Sequence, residues 1–488
     1  MTDDLTAATP SIGDMDPESY RRDARRVVDW TADYLRDVEL YPVLSGARPG
    51  AVRMELPAAP PAAGESIEAV LDDVQRVLMP ATTHWQSPGF MAYFASSGSP
   101  PGILGELLTA AMNVNAMLWR TGPAATELEE VTLDWLRQMV GLPEPLFGVI
   151  NDTASSSTLY ALAAAREAQA DLRIRELGMA GRPELPPLRY YASTEAHSSV
   201  EKAGIVLGIG REGLRRIPVD SRFRMDPVAL RQAIREDLIA GIRPFAVVAT
   251  AGTTSTTSVD PVAAIAEVCA QHALWLHVDA AYGGAAALAP ELRWVLDGAE
   301  RADSIVVNPH KWLFTPIDCS VLWTRRPDVL HNAFSIVPEY LTSTDAGDAP
   351  NLMNYGTSMG RRMRALKLWM VIRSFGTDAL AARIREHCRY ASLVARWADG
   401  ERDFELLAPA PLSVVCLRAH PPGLDDPGTL DTLNQRIVDR INSGGRYFLS
   451  HTRLHDAYAI RVAFGNLRQE ERHARGVINA LRNALDDD

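Results

Sequence analysis

Lysine is almost missing from this chain: Lys202, Lys311 and Lys367 stand against 46 arginines in 488 residues. Cysteine is nearly as scarce. The four present, Cys269, Cys319, Cys388 and Cys416, lie far apart, form no Cys-x-x-Cys pair and fall mostly in apolar segments. That excludes a disulfide scaffold and a cysteine-built metal site, and it fits core thiols in a reducing compartment. No basic run offsets the formal charge of -12, which excludes nucleic acid and anionic membranes as principal partners. No apolar run approaches the ~18 residues that cross a bilayer, and the first 20 residues are polar and acidic, unlike a signal peptide. The expectation is a soluble, cytoplasmic protein that needs no metal.

What the chain does have is apolar substance. At 47% hydrophobic residues it is long enough for a large core with one or two smaller domains. Tyr20, Ala24, Val27, Val28, Thr31, Tyr34 and Leu35 recur at helical spacing within 17–38, and a second amphipathic helix is predicted over 66–78, after a Pro- and Ala-rich stretch at 57–64. Residues 1–95 therefore read as a helical arm of the kind that packs on a second subunit. Between about 145 and 325, short β-rich runs alternate with Ala-rich helical stretches. The runs begin at Phe147, Arg189, Phe245, Leu274, Ser304 and Val321, and the helical stretches include 158–176 and 262–271. This is the pattern of an α/β fold with a largely parallel sheet and helical crossovers. It assigns 96–376 to a large domain. Residues 377–488, with strands predicted at 413–417 and 459–463, form a small α/β domain.

In open parallel sheets, ligands bind beyond the carboxyl ends of the strands, so the residues found there carry the most information. After the first run comes Asn151-Asp-Thr-Ala-Ser-Ser-Ser-Thr158 at the start of a helix, either a phosphate cradle or an ordinary serine-rich cap. After the second comes His197, with Ser198 and Glu201 spaced as a capping box. After the third comes a glycine and hydroxyl loop containing Thr254. Asp279 ends the fourth, in His277-Val-Asp-Ala-Ala-Tyr282, with no cap motif following. A buried carboxylate there is costly without a cation or donors.

Lys311 follows the fifth run, in Asn308-Pro-His-Lys-Trp312. Arginine stays protonated, whereas a desolvated lysine loses its proton and condenses with a carbonyl. A phosphate cradle, a carboxylate, an imidazole and a lysine on one sheet edge match the needs of pyridoxal 5'-phosphate: an anchor for its phosphate, a partner for its ring nitrogen, a stacking ring and an amine for its aldehyde.

These motifs resemble the group II pyridoxal-phosphate-dependent decarboxylases, on the aromatic-amino-acid side of that family. The resemblance extends through Thr83-His-Trp-Gln-Ser-Pro88, Ala125-Thr-Glu-Leu-Glu129 and Gly360-Arg-Arg-Met-Arg-Ala-Leu-Lys-Leu-Trp369, nearly the whole chain. It implies a fold-type I homodimer with active sites at the subunit interface. Lys311 is then the residue joined to the cofactor's aldehyde, Asp279 the partner of the pyridine nitrogen and His197 the ring stacked on it. Ala154, Ser155, Thr254, Ala281, Asn308 and His310 complete the pocket, and Gly360 approaches the phosphate from the neighbouring subunit.

The resemblance further implies a tyrosine, matched to Tyr340, that protonates the substrate's alpha carbon from a mobile loop. The segment 342–350 that follows has no apolar periodicity and reads as a lid. Trp85, Tyr93, Phe94, Ser96 and Met117 would line the substrate pocket, with Ser96 and Met117 smaller than the threonine and large aromatic residue expected of the animal enzyme. Arg120 replaces a small residue and suits either an acidic substrate or a salt bridge. The activity implied is decarboxylation of an aromatic L-amino acid to its amine. An aldehyde-forming oxidative decarboxylase, a decarboxylase of an acidic amino acid such as glutamate, and a cofactor-binding protein without turnover are the rivals.

Overall fold

The computed structural model describes residues 14–143, 146–336 and 349–486, and the chain forms two compact units, Met1–Ser87 and Pro88–Asp488. In the first unit the helix Pro17–Asp37 begins where Asp16 accepts from the amides of Glu18 and Ser19, satisfying donors that have no intrahelical partner. None of its residues is buried. The helix expected over 66–78 is Ile67–Asp73, capped by Ser66 and continued by a wider π turn over Val74–Leu78. Arg26 and Glu68 pair the two helices.

The second unit is built on a seven-stranded sheet: β1 (Phe147–Asn151), β2 (Leu188–Ser193), β3 (Leu214–Ile217), β4 (Arg243–Thr250), β5 (Trp275–Asp279), β6 (Ser304–Val307) and β7 (Ser320–Thr324). Their spatial order is β1-β7-β6-β5-β4-β2-β3. Pairings from β6 to β3 are parallel, whereas β7 runs antiparallel to both its neighbours. Alternate residues of a strand enter separate cores, Val247 and Ala249 one, Ala246 and Val248 the other. Burial on both faces is why the central strands read as continuous apolar runs.

The sequence reading misses β3, whose Leu-Arg-Arg-Ile carries two charges mid-strand. It is an edge strand, where charge is tolerated, and Arg215 pairs with Asp237 and Arg216 with Glu201. The helix expected over 158–176 instead spans Ala154–Glu167. A second sheet, entirely antiparallel, contains β8 (Phe404–Leu406), β9 (Val414–Ala419), β10 (Ser450–Leu454) and β11 (Ala457–Ala463) in the order β10-β11-β9-β8. Its two inner strands carry the apolar pattern. Its outer strands are too short or too polar to show one. The helix Ala365–Gly400 is interrupted at Gly376, whose φ of 72° and ψ of 166° suit only glycine well.

Burial holds down the pKa values of three histidines in this unit, to about 4 for His277 and about 3 for His310 and His387. All three lie below the unfolded value of about 6.5. The unfolded chain therefore takes up protons that the folded chain refuses, so this contribution to stability is complete above about pH 6.5 and falls as pH drops toward the folded values. By pH 5 each histidine costs about 2 kcal/mol. A thermal-unfolding series from pH 7.5 to 4.5 checks this, with a steep fall expected below pH 6.5. A flat profile contradicts it.

Candidate active site

The parallel strands end on one edge, with Ser193 closing β2, Thr250 β4, Asp279 β5 and Val307 β6; Thr250 and Asp279 are direct partners in the register. Asp279 is 6% exposed, and its Oδ1 accepts from the Ala281 amide at 3.1 Å. It thus caps its own turn, contrary to the sequence reading, but uses one of its two oxygens to do so. The hydroxyls of Ser193 and Thr250 are buried and have no hydrogen-bond partner among the described residues, a condition that costs about 1–3 kcal/mol per group. Polar atoms orphaned on a sheet edge beside a buried carboxylate fit a polar ligand lying across the strand ends.

Lys311 sits in a single helical turn, Pro309–Trp312, directly after β6. Burial lowers its pKa first of all; Asp279 opposes this and Arg461 adds to it. Its Nζ lies 5.2 Å from the centroid of the Phe94 ring. Phe94 in turn stacks on Tyr282 at 3.7 Å, and Tyr282 on Trp312 at 4.6 Å, so three rings fix the turn that carries the lysine. The Nδ1 of His310 accepts from the Cys319 amide at 2.9 Å, which places its proton on Nε2, 3.2 Å from the Asn308 carboxamide. With the amide oxygen turned to that proton, the otherwise unpartnered Oδ1 of Asn308 is satisfied and its NH2 donors are left for the site. Asn308 also hydrogen-bonds through its own amide to the carbonyl of Ala281 at 3.1 Å.

His197 stands at a helix start as expected, but the capping box does not form. His197 is itself the cap of Ser198–Val206, its Nδ1 accepting from the Ser199 amide at 3.2 Å. Glu201 instead pairs with Arg211 and Arg216. The two arginines outcompete a serine amide for a carboxylate, because charged partners make the stronger bonds. His197 is exposed, yet desolvation is the main influence on its pKa and lowers it, with Asp279 pulling up and Lys311 pushing down. These charges act on one another across a single site.

The helix Ala154–Glu167 begins without a side-chain cap, so the amides of Ala154 and Ser155 are donors for an anion. The cradle is narrower than the sequence suggests. Ser157 and Thr158 are buried in the helix, and the Ser157 hydroxyl is engaged by Asn151 at 3.1 Å and Ser320 at 2.9 Å. An open helix start, a buried carboxylate and orphaned hydroxyls together fit a phosphorylated ring with a protonated nitrogen.

Arg461 escaped the sequence reading. It lies mid-strand in β11, is 3% exposed, and its Nε donates to the carbonyls of Thr254 and Ser255 at 3.0 and 3.1 Å. Its Nη1 donates to the Tyr93 carbonyl, its guanidinium lies 4.9 Å from the Phe94 ring centroid, and its Nη2 has no partner among the described residues. An arginine inside an apolar strand was the available signal.

The remaining residues divide. Thr254 and Tyr93 meet at Arg461, Tyr93 with its ring exposed and a φ of 49°, and Ser96 is half-buried two positions beyond Phe94. Met117 and Gly360 are grouped with each other: the Ala116 amide donates to the Arg361 carbonyl at 2.8 Å, and the Met353 amide to the Met117 carbonyl at 3.1 Å. A Cβ added at Gly360 meets nothing within 4 Å. Arg120 is exposed. Trp85 belongs to the first unit. Tyr340 and most of the segment expected to form a lid lie outside the described residues.

A family model described as the pyridoxal-dependent decarboxylase conserved domain matches residues 49–420. Tyrosine decarboxylase 3 of Petroselinum crispum is 39% identical over 495 residues, covering 99% of this chain and 95% of that protein. Phenylacetaldehyde synthase of Arabidopsis thaliana is 38% identical over 471 residues, 94% of each chain. Among solved structures, Oryza sativa TDC with PLP and tryptamine superposes with a TM-score of 0.93 at 36% identity, covering 98% of this chain and 99% of that one.

Proposed function

The chain belongs to the pyridoxal-dependent decarboxylases, and from that premise we propose that it removes the carboxyl group of an aromatic L-amino acid, releasing the amine and carbon dioxide. The observation that carries this is the pairing of Lys311, its amine pKa lowered by burial, with a buried Asp279 at the end of the adjacent strand. Bound there, pyridoxal 5'-phosphate supplies an electron sink for the bond that breaks at the alpha carbon.

The chain's own groups do the rest. The amides of Ala154 and Ser155 and the NH2 of Asn308 would hold the phosphate, Asp279 would keep a proton on the ring nitrogen, and the hydroxyls of Ser193 and Thr250 are free to meet polar atoms that reach them. Burial, which lowers the pKa of Lys311, favours the free amine that would condense with the cofactor's aldehyde. Arg461 offers its unpartnered Nη2 to the substrate carboxylate and so orients the bond to be cut. His197 would cover the ring, and Phe94 with Tyr93 and Ser96 forms a wall suited to a flat side chain.

The working form is a homodimer. Its support is the row of exposed Leu104, Leu107, Leu108 and Met112 on the helix Pro100–Met112, a face too apolar for water, and the open approach to Gly360. All four cysteines are free, in keeping with a reducing, cytoplasmic setting; among the described residues no helix is long and apolar enough to cross a membrane.

The test is to incubate the purified protein with tryptophan, tyrosine, phenylalanine, dihydroxyphenylalanine and glutamate, measuring amine, aldehyde and oxygen uptake together. Amine from aromatic substrates is expected; activity on glutamate alone overturns the reading. The likeness to an aldehyde synthase favours one second reading, in which the carbanion left after decarboxylation meets oxygen and yields aldehyde, ammonia and peroxide. Tyr340 decides between them as the proton donor to that carbon. Tyr340→Phe should therefore move most product from amine to aldehyde, with oxygen consumed in step. A wild type that already consumes one oxygen per turnover assigns the chain to the aldehyde formers.

A further inference from the structure

We propose that Glu129 and Arg361 are positioning residues that set the turn holding the cofactor phosphate; this rests on the cofactor reading above. β1 is an outer strand of the large sheet, and Ile150 has no strand beyond it to bond. Its amide donates to Oε1 of Glu129 at 2.7 Å, and its carbonyl accepts from Nη2 of Arg361 at 2.8 Å. The same Oε1 and Nη2 meet each other at 2.9 Å. One ion pair thus takes the place of a neighbouring strand at a single residue, with Glu129 1% and Arg361 8% exposed.

The position of that residue is what matters. Ile150 is followed by Asn151, Asp152 and Thr153, and then by the uncapped helix start at Ala154. Whatever fixes Ile150 fixes the line on which the Ala154 and Ser155 amides point. Arg361 is also anchored through its backbone, its amide donating to Oδ1 of Asn115 at 3.0 Å and its carbonyl accepting from the Ala116 amide. Glu129 lies on the helix Pro123–Met139. Two separate segments therefore meet at Ile150, and a third, at Asn115 and Ala116, holds Arg361 in place.

Stability alone does not account for the pair, because buried ion pairs are often matched by apolar residues of equal volume. Apolar residues here would strand both peptide groups of Ile150, and any partner holding only one of them would let the strand shift. Arginine suits the place because its planar fork allows Nη2 to serve the carbonyl and the carboxylate in one plane, which an ammonium does less well.

The experiment uses apoprotein of wild type, Glu129→Gln and Arg361→Lys, titrated with pyridoxal 5'-phosphate and followed by tryptophan fluorescence, with the phosphorus resonance of the loaded protein as a second readout. A fourth protein, Val477→Ala, lowers stability from the core of the small sheet, since Val477 is fully buried in the helix Glu471–Asp486. The expected result is a dissociation constant raised at least about tenfold in Glu129→Gln and several-fold in Arg361→Lys, each with a displaced phosphorus signal. Val477→Ala should change neither. If Glu129→Gln does not fold, Arg361→Lys decides alone. Cofactor binding and phosphorus signals no different from those of Val477→Ala make the pair a structural brace and overturn the proposal. A wild type that takes up no cofactor overturns both this proposal and the function it rests on.

Discussion

Lys311→Ala lowers turnover by roughly four orders of magnitude or more, because the amine that forms the covalent link, and that the substrate's own amine would displace, is gone. The folded protein and much of its cofactor binding should survive, since the Ala154 and Ser155 amides and the Asp279 carboxylate do not depend on that amine. Borohydride treatment of the wild type should fix cofactor mass on the peptide containing Lys311, and on none in the variant. The other two lysines are poor rivals for physical reasons. Lys367 is buried with its Nζ donating to Glu106, and Lys202 projects from the helix that His197 caps. An adduct on either one sinks the site assignment.

Asp279→Asn should cut turnover by about three orders of magnitude, equivalent to roughly 4 kcal/mol of barrier, while leaving the fold in place. The amide is isosteric, and its oxygen still accepts from the Ala281 amide as Oδ1 does. What disappears is the charge. A neutral amide does not hold a proton on the pyridine nitrogen, so the cofactor loses much of its capacity to accept electrons. A second effect runs in parallel: Asp279 raises the pKa of Lys311 against the pull of burial and Arg461, so the lysine of the variant should titrate lower still. Steady-state rates and a pH profile of borohydride trapping measure the two effects separately. Near-normal rates remove Asp279 from its role.

Much of this was open to reading from the chain alone, for reasons visible in particular residues. Asp279 and Lys311 are legible because each is a charge placed where an apolar run ends, and such a charge needs a reason. The central strands are legible because burial on both faces writes an unbroken apolar run. β3 and β10 are not, since edge strands carry polar residues that look like loops. Arg461 is hidden by distance: it comes from the antiparallel sheet, and its neighbours Phe94 and Thr254 come from two other stretches of chain. The cap made by His197 depends on where Glu201 finds its arginines, a tertiary choice that overrides a local pattern.

That same Arg461 ties the two sheets of the second unit together. Its side chain donates to carbonyls at Thr254, Ser255 and Tyr93, while its own strand pairs with β9 and β10. Because its charge also helps to lower the pKa of Lys311, the antiparallel sheet shapes the charge environment of an amine that it does not itself contain.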